Sequence, residues 1–244
     1  MSEDFNIKGP NSPLEEKKER QRVYFIRKTV DRHQAQTLIE QKKPKLTKAK
    51  KKTANEVIIK SLEPGYYAYI RVRGEYRITY LRKKHIKITT GKNVVAAKVF
   101  NEVIDLGAPE RFIKGKKEGT KTLTIDFIEK VVHQNENELA FNPEGKEIDP
   151  ENIVKFKLED APSDFLDTHK DQVAVPVVGP ELAIEKLRLG LMNRPTDAQR
   201  ILEEIFEVNL IQVVLSPVFN VVLEYEERET KVVVDAVSGD ITKI

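Results

Sequence analysis

The sequence predicts an α+β protein, and three observations carry that prediction. Apolar residues alternate with polar ones along Tyr67–Arg73 and again along Glu75–Leu81, the period of half-buried strands. Helical spacing appears elsewhere, at Val23, Ile26, Val30 and Leu38 and again at Ile184, Leu187 and Leu191. Between the first helical pattern and the first strand lies a lysine-rich stretch, Lys42–Asn55, with almost nothing to bury. These observations divide the chain into four segments: a basic helix and mobile arm over 1–54, a mainly antiparallel β domain over 55–160, a linker over 161–177, and a C-terminal helix-plus-antiparallel-sheet module over 178–244.

Each element follows from its residues. Gly9, Pro10, Asn11, Ser12 and Pro13 mark an irregular lead-in. Leu14–Gln41 reads as a helix supported by the Glu16–Arg20 pair at i,i+4, although the β-branched run around Tyr24–Val30 also fits a strand. Val57–Leu62 is a short strand, closed by a turn at Pro64-Gly65. In Tyr67–Arg73, Ala68, Ile70 and Val72 share one face and Tyr67, Tyr69, Arg71 and Arg73 the other. A turn at Gly74 leads into Glu75–Leu81, where Tyr76, Ile78 and Tyr80 lie together, and Ile86, Ile88 and Val94–Phe100 give two more strands.

Lys114–Lys121 reads as a loop, and Leu123–Val132 suits a buried strand or a helix, which its period does not separate. Asn142–Gly145 is a turn, Ile153–Leu158 a strand, and a short helix follows Pro162. A helix starts near Pro180. Thr196 with Gln199 forms a capping-box signature ahead of Ala198, Ile201, Leu202 and Ile205, which predicts a second helix. Val208–Leu215 is a buried strand interrupted by Ser216-Pro217. Phe219, Val221, Leu223 and Tyr225 alternate before a charged turn, and Val232–Val234 pairs back.

Composition narrows the function classes. The chain has no cysteine, which excludes disulfides and thiolate-ligated zinc. The start has no apolar leader and no stretch reaches the length of a membrane span, so a cytoplasmic protein with no membrane partner is expected. A net charge of +3 conceals a strong asymmetry. Residues 14–98 carry 24 basic and 8 acidic side chains, whereas residues 99–244 carry 17 and 29. Such a split points to a polyanionic partner.

The last strand ends Val232-Val233-Val234-Asp235-Ala236-Val237-Ser238-Gly239-Asp240-Ile241. After a helix, a strand and a charged turn, this segment resembles a PepSY domain, with Asp235, Ala236, Gly239 and Ile241 matching its closing motif and Ser238 standing where Thr is usual. The resemblance covers about residues 178–244 and implies a small non-catalytic binding module, of a kind proposed to restrain peptidases. The residues themselves also predict local structure: Asp235 and Ser238 cap a tight turn, and Gly239 takes positive φ.

The candidate site is a basic, aromatic surface: Tyr67, Tyr69, Arg71, Arg73, Arg77, Arg82, Lys83, Lys84 and Lys87. Cations of this density neutralise phosphates, and aromatic rings on a sheet stack bases. The bland alternative is that the tyrosines cover a core while the charges keep an edge soluble. No nucleophile–base pair, phosphate loop or histidine pair at metal spacing appears, so no catalysis, metal or cofactor is expected. Asp160, Asp164, Asp167 and Asp171 are spaced to share a helical face, which reads more readily as a solvated connection than as a cation site. The expected function is therefore a non-catalytic adaptor that engages nucleic acid or a ribonucleoprotein. The alternative is a regulatory module that binds a protein partner through the PepSY-like half. Pairing of basic and acidic halves between copies is a third reading, and the oligomeric state is not legible.

Overall fold

The structure, a computed structural model, describes residues 5–49, 55–91, 93–99, 102–105, 121–162 and 164–244. It is mainly β, which corrects the expected α+β class. Among the described residues, ten strands form one mixed sheet, two more form a separate two-stranded antiparallel sheet, and the four α-helices have 16, 4, 4 and 12 residues. The strands are β1 (Leu14–Lys18), β2 (Arg22–Ile26), β3 (Ile58–Thr90), β4 (Ala96–Val99), β5 (Glu102–Asp105), β6 (Lys121–Phe141), β7 (Glu147–Ile148), β8 (Leu158–Asp160), β9 (Val173–Ala174), β10 (Arg200–Tyr225), β11 (Arg228–Asp235) and β12 (Ile241–Lys243). The helices are α1 (Arg32–Thr47), α2 (Glu151–Val154), α3 (Phe165–Thr168) and α4 (Pro180–Leu191).

The sheet is built on three long strands in the order β12-β11-β10-β3-β6-β7. β2 runs parallel to β10, pairing Arg22–Phe25 with Gln212–Leu215, and β9 runs parallel to β3 at Tyr66 and Tyr67. The chain forms two compact units. One comprises Met1–Leu14, Arg77–Gln134 and Arg194–Ile205, the other Glu15–Tyr76, Asn135–Asn193 and Phe206–Ile244. They interleave in sequence because β3, β6 and β10 each contribute a part to both.

The largest departure from expectation is β3, 33 residues without a turn. Ala68, Ile70, Val72 and Tyr76 in the larger unit, and Ile78 and Tyr80 in the smaller, are all buried, so the alternation read from the sequence holds while the breaks at Pro64-Gly65 and Gly74 do not. Gly74 is needed for closeness rather than for bending. A Cβ there would lie 2.5 Å from the Glu207 carbonyl oxygen on β10 and 3.2 Å from Leu187 Cδ2 on α4. A glycine inside a strand commonly marks such an approach.

The predicted helix over Leu14–Gln41 is corrected to two strands and a later helix. The Val23–Ile26 run suits a strand, and its parallel pairing with β10 decides the matter. The helix begins only at Arg32, after a capping box in which Asp31 and Gln34 exchange side-chain and backbone hydrogen bonds, both 2.8 Å. It continues through Lys42, Lys43 and Lys45, where a mobile arm was expected, because Ala35 and Ile39 are buried and Leu46 packs on the same cluster. That cluster, with Leu62, Phe219, Val221, Leu223, Val232 and Val234, is one core of the larger unit. Burying its aliphatic side chains contributes about 1.5–3 kcal/mol each. Lys50–Lys52 lie outside the described residues, as do 114–120 of the expected loop.

Three further readings are corrected. Ala198, Ile201, Leu202 and Ile205 belong to no helix, since β10 starts at Arg200. Their neighbours outweigh the helical period: Gln199 N–H donates to the Leu81 carbonyl, Ser12 N–H to that of Ile201, and Ile201 N–H to Asn11 Oδ1. β10 also runs through Ser216-Pro217 without interruption. Ile153–Leu158 is not a strand, because Pro150 opens the turn α2 and the Ile153 and Val154 N–H groups donate to its carbonyl. Asn142–Gly145, the short helix after Pro162, and the pairing back of Val232–Val234, here onto Phe219–Val221, are as read.

The closing turn also follows its residues. Asp235 Oδ1 accepts from the N–H groups of Val237 at 2.7 Å and Ser238 at 3.0 Å, while Gly239 has φ +78°. Ser238 Oγ donates to Asp240 Oδ2 at 2.9 Å.

Candidate functional site

The expected basic, aromatic surface is present on β3, but its arginines are already paired within the sheet. In the larger unit, Tyr67, Tyr69, Arg71 and Arg73 share the less buried face. Arg71 Nε donates to Glu138 on β6 and Nη1 to Gln212 Oε1 on β10 at 3.0 Å, leaving only 17% of the side chain exposed. Arg73 Nε donates to Asn209 Oδ1 at 3.2 Å and lies 3.8 Å from Glu136. In the smaller unit, Arg77 sits 3.5 Å from Glu203. Arg82 donates to Glu129 at 2.6 Å and to Asp197 at 2.7 Å.

These cross-strand pairs explain the uneven charge of the chain. Glu129, Glu136, Glu138, Asp197 and Glu203 all come from the acidic part and neutralise arginines of the basic part. Opposite charges facing each other across strands are stabilising. The hydrogen bonds that Arg82 donates to Glu129 and Asp197 raise its pKa further, and the second of these bonds lowers that of Asp197. An arginine so engaged offers little net charge to a phosphate.

The three lysines behave differently. Lys83, Lys84 and Lys87 are exposed and form no salt bridge among the described residues, although the Lys84 charge helps to lower the pKa of Asp197. They occupy the last part of β3, where residues 83–89 are exposed on both faces. β10 begins beside Leu81, so beyond that point β6 is the only strand that flanks β3 among the described residues. The contact of His85 Nδ1 with Asp126 Oδ1, 2.6 Å, marks the β6 side. The result is a two-stranded ribbon. Strand alternation sends Lys83 and Lys87 to one face and Lys84, with exposed Ile86 and Ile88, to the other.

The larger unit holds a second feature, a half-open cavity of about 310 Å³. Ile26, Ile148, Ile153 and Phe156 supply apolar walls, and Tyr69, Asn142, Asn152, Lys155, Ser216, Asp235 and Ser238 supply polar groups. Burial raises the Tyr69 pKa, helped by the charges of Asp235, Glu144 and Tyr67, so the phenol is a neutral donor at physiological pH. Sequence reasoning identified Tyr69 and the Asp235 turn but not their meeting here. The other walls come from segments far apart in the chain, and no spacing rule connects them.

Of the spaced acids, Asp167 lies in α3 and pairs with Lys170 at 3.6 Å. No group of three or more His, Asp or Glu side chains among the described residues is arranged to hold a metal ion. No described helix is long and apolar enough to cross a membrane. Comparison with known proteins gives no match to any family model, curated protein or solved structure.

Proposed function

We propose that this chain is a cytoplasmic, non-catalytic binding protein that engages nucleic acid through the lysine ribbon at the end of β3. The observation that carries the reading is that Lys83, Lys84 and Lys87 are exposed and form no salt bridge among the described residues, on a stretch of β3 exposed on both faces. The major groove of B-form DNA admits a two-stranded β-ribbon, whereas the major groove of an RNA duplex is too narrow for side chains to read. Duplex DNA is therefore the better fit. Affinity comes from phosphate neutralisation, with Ile86 and Ile88 available for apolar contact on the Lys84 face. The PepSY-like turn at Asp235–Ile241 supports the non-catalytic part of the proposal, since those domains are binding modules.

The test is fluorescence polarisation of labelled duplex DNA, single-stranded DNA and both forms of RNA with the full chain at low salt. Duplex DNA should bind most tightly, and Lys83→Glu/Lys84→Glu/Lys87→Glu should abolish the binding. Equal binding by the triple variant would refute the ribbon. Absence of binding to all four probes would leave a protein partner as the better reading.

A further inference from the structure

The cavity of the larger unit contains hydrogen-bonding groups that the protein itself leaves unused, and this goes beyond the proposed role of the ribbon. Ser216 is only 4% exposed, yet its hydroxyl makes no hydrogen bond among the described residues. No side-chain nitrogen or oxygen among those residues is both fully sealed from solvent and unpartnered, so the Ser216 hydroxyl opens onto the cavity it lines. A polar group at that depth normally has a partner. The Tyr69 hydroxyl also lacks a protein partner among the described residues.

Asp235 is held rigidly by one oxygen only. Oδ1 takes the Val237 and Ser238 N–H groups, and Oδ2 accepts nothing among the described residues. Asn142 uses its Oδ1 for the Lys146 N–H at 2.8 Å, which leaves its amide nitrogen to donate. At the more exposed part of the lining, Lys155 Nζ donates to Asn152 Oδ1 at 3.2 Å and lies 5.4 Å from the Phe156 ring centre. The lining thus contains one carboxylate and one ammonium, with neutral hydroxyl and amide groups and an isoleucine-rich wall besides.

We propose that this cavity binds a small zwitterion of the amino-acid type with an apolar side chain. The ligand ammonium would meet Asp235 Oδ2 and the hydroxyls of Ser216 and Tyr69. Its carboxylate would meet Lys155 Nζ and the Asn152 amide, and its side chain the surface formed by Ile26, Ile148, Ile153 and Phe156. One charge of each sign in the lining matches one of each sign in the ligand. A singly charged ligand leaves one of the two without a counterpart. The volume lies at the lower end of the range for small-molecule sites, which suits a ligand of this size.

The experiment is isothermal titration calorimetry of the full chain with each common amino acid at millimolar concentration. The N-acetyl and methyl-ester forms of any binder, and neutral polyols of similar size, complete the panel. An apolar amino acid should bind, and removing either of its charges should weaken binding at least tenfold. Asp235→Asn retains an oxygen for the turn and removes the charge, so it should weaken binding at least tenfold while circular dichroism stays unchanged. Ser216→Ala should weaken it several-fold. The proposal is overturned if no amino acid binds, if the N-acetyl or ester form binds equally well, if a polyol binds more tightly, or if Asp235→Asn binds like the natural chain.

Discussion

Removing the Arg194 guanidinium should destabilise the protein far more than removing any other surface arginine. Its partner Glu204, on β10, is fully buried, with a side-chain exposure of 0%. Arg194 Nε donates to Glu204 Oε1 at 2.7 Å and Nη2 to Oε2 at 2.6 Å, a two-pronged, charge-assisted contact. Breaking a buried pair by deleting one partner costs about 3–5 kcal/mol, because the remaining buried charge loses its charge-assisted contact. The guanidinium is itself 58% exposed and Glu204 has contacts beyond this pair, so water and those contacts replace part of it and the lower end of that range applies. Arg194→Ala should therefore cost about 3 kcal/mol in urea unfolding followed by circular dichroism. For a chain of this size that lowers the melting temperature by about 6–12 °C. Arg194→Ala combined with Glu204→Leu should recover most of the loss, since an apolar replacement leaves no charge behind. A loss below about 1 kcal/mol, the range of an ordinary exposed ion pair, would refute the reasoning.

Other perturbations follow from single features of the structure. Gly74→Ala should cost about 1–3 kcal/mol in the same unfolding assay, because its Cβ would overlap the Glu207 carbonyl on the neighbouring strand. The two-residue loop between β10 and β11 places Glu226 at φ +50° and Glu227 at φ +61°, so Glu226→Asn/Glu227→Gly should raise stability by about 1–2 kcal/mol. Burial holds the Tyr69 phenol above its ordinary pKa, so the folded chain keeps that proton after the unfolded chain has released it. Stability should accordingly fall as pH rises above about 10, and Tyr69→Phe should flatten the fall, as followed by alkaline unfolding at increasing pH. Glu229 behaves in the opposite sense, because its hydrogen bond and ion pair with Lys60 lower its pKa. That contribution is lost as the pH falls through the lowered pKa, and Glu229→Gln should reduce the acid sensitivity of unfolding.

Local pattern was legible wherever one face of a strand is buried. Ala68 through Tyr80 alternates in the sequence as it does in the sheet, and Val232–Val234 pairs back as its spacing implies. Asp235, Ser238 and Gly239 predicted their own turn because its hydrogen bonds are all local. What failed was punctuation and length. Gly74 reads as a break in sequence, but its role depends on Glu207 and Leu187, more than a hundred residues away. Ile201, Leu202 and Ile205 fit a helical period and a strand covered on both faces equally well, and only the neighbouring Leu81 and Asn11 choose between them.

The site was half legible for the same reason. Composition located the cations but not the carboxylates that meet them, since Arg71 and Glu138 are 67 residues apart. The lysines of the ribbon differ from the arginines in one respect that no pattern encodes, namely that β6 alone flanks them among the described residues. The cavity was invisible as a cavity, although Tyr69 and Asp235 had each been singled out for another reason.

The central claim is that the charge available to a polyanion lies on Lys83, Lys84 and Lys87 rather than on the paired arginines. The most direct measurement is the dependence of duplex-DNA affinity on salt for the natural chain, for Lys83→Ala/Lys84→Ala/Lys87→Ala, and for Arg73→Ala/Arg77→Ala. Each phosphate neutralised contributes a slope of about −0.9 in a log–log plot, so loss of the three lysines should flatten the slope by about 2–3 units. The arginine variant should keep the natural slope. A slope that flattens in the arginine variant and persists in the lysine variant would contradict the account.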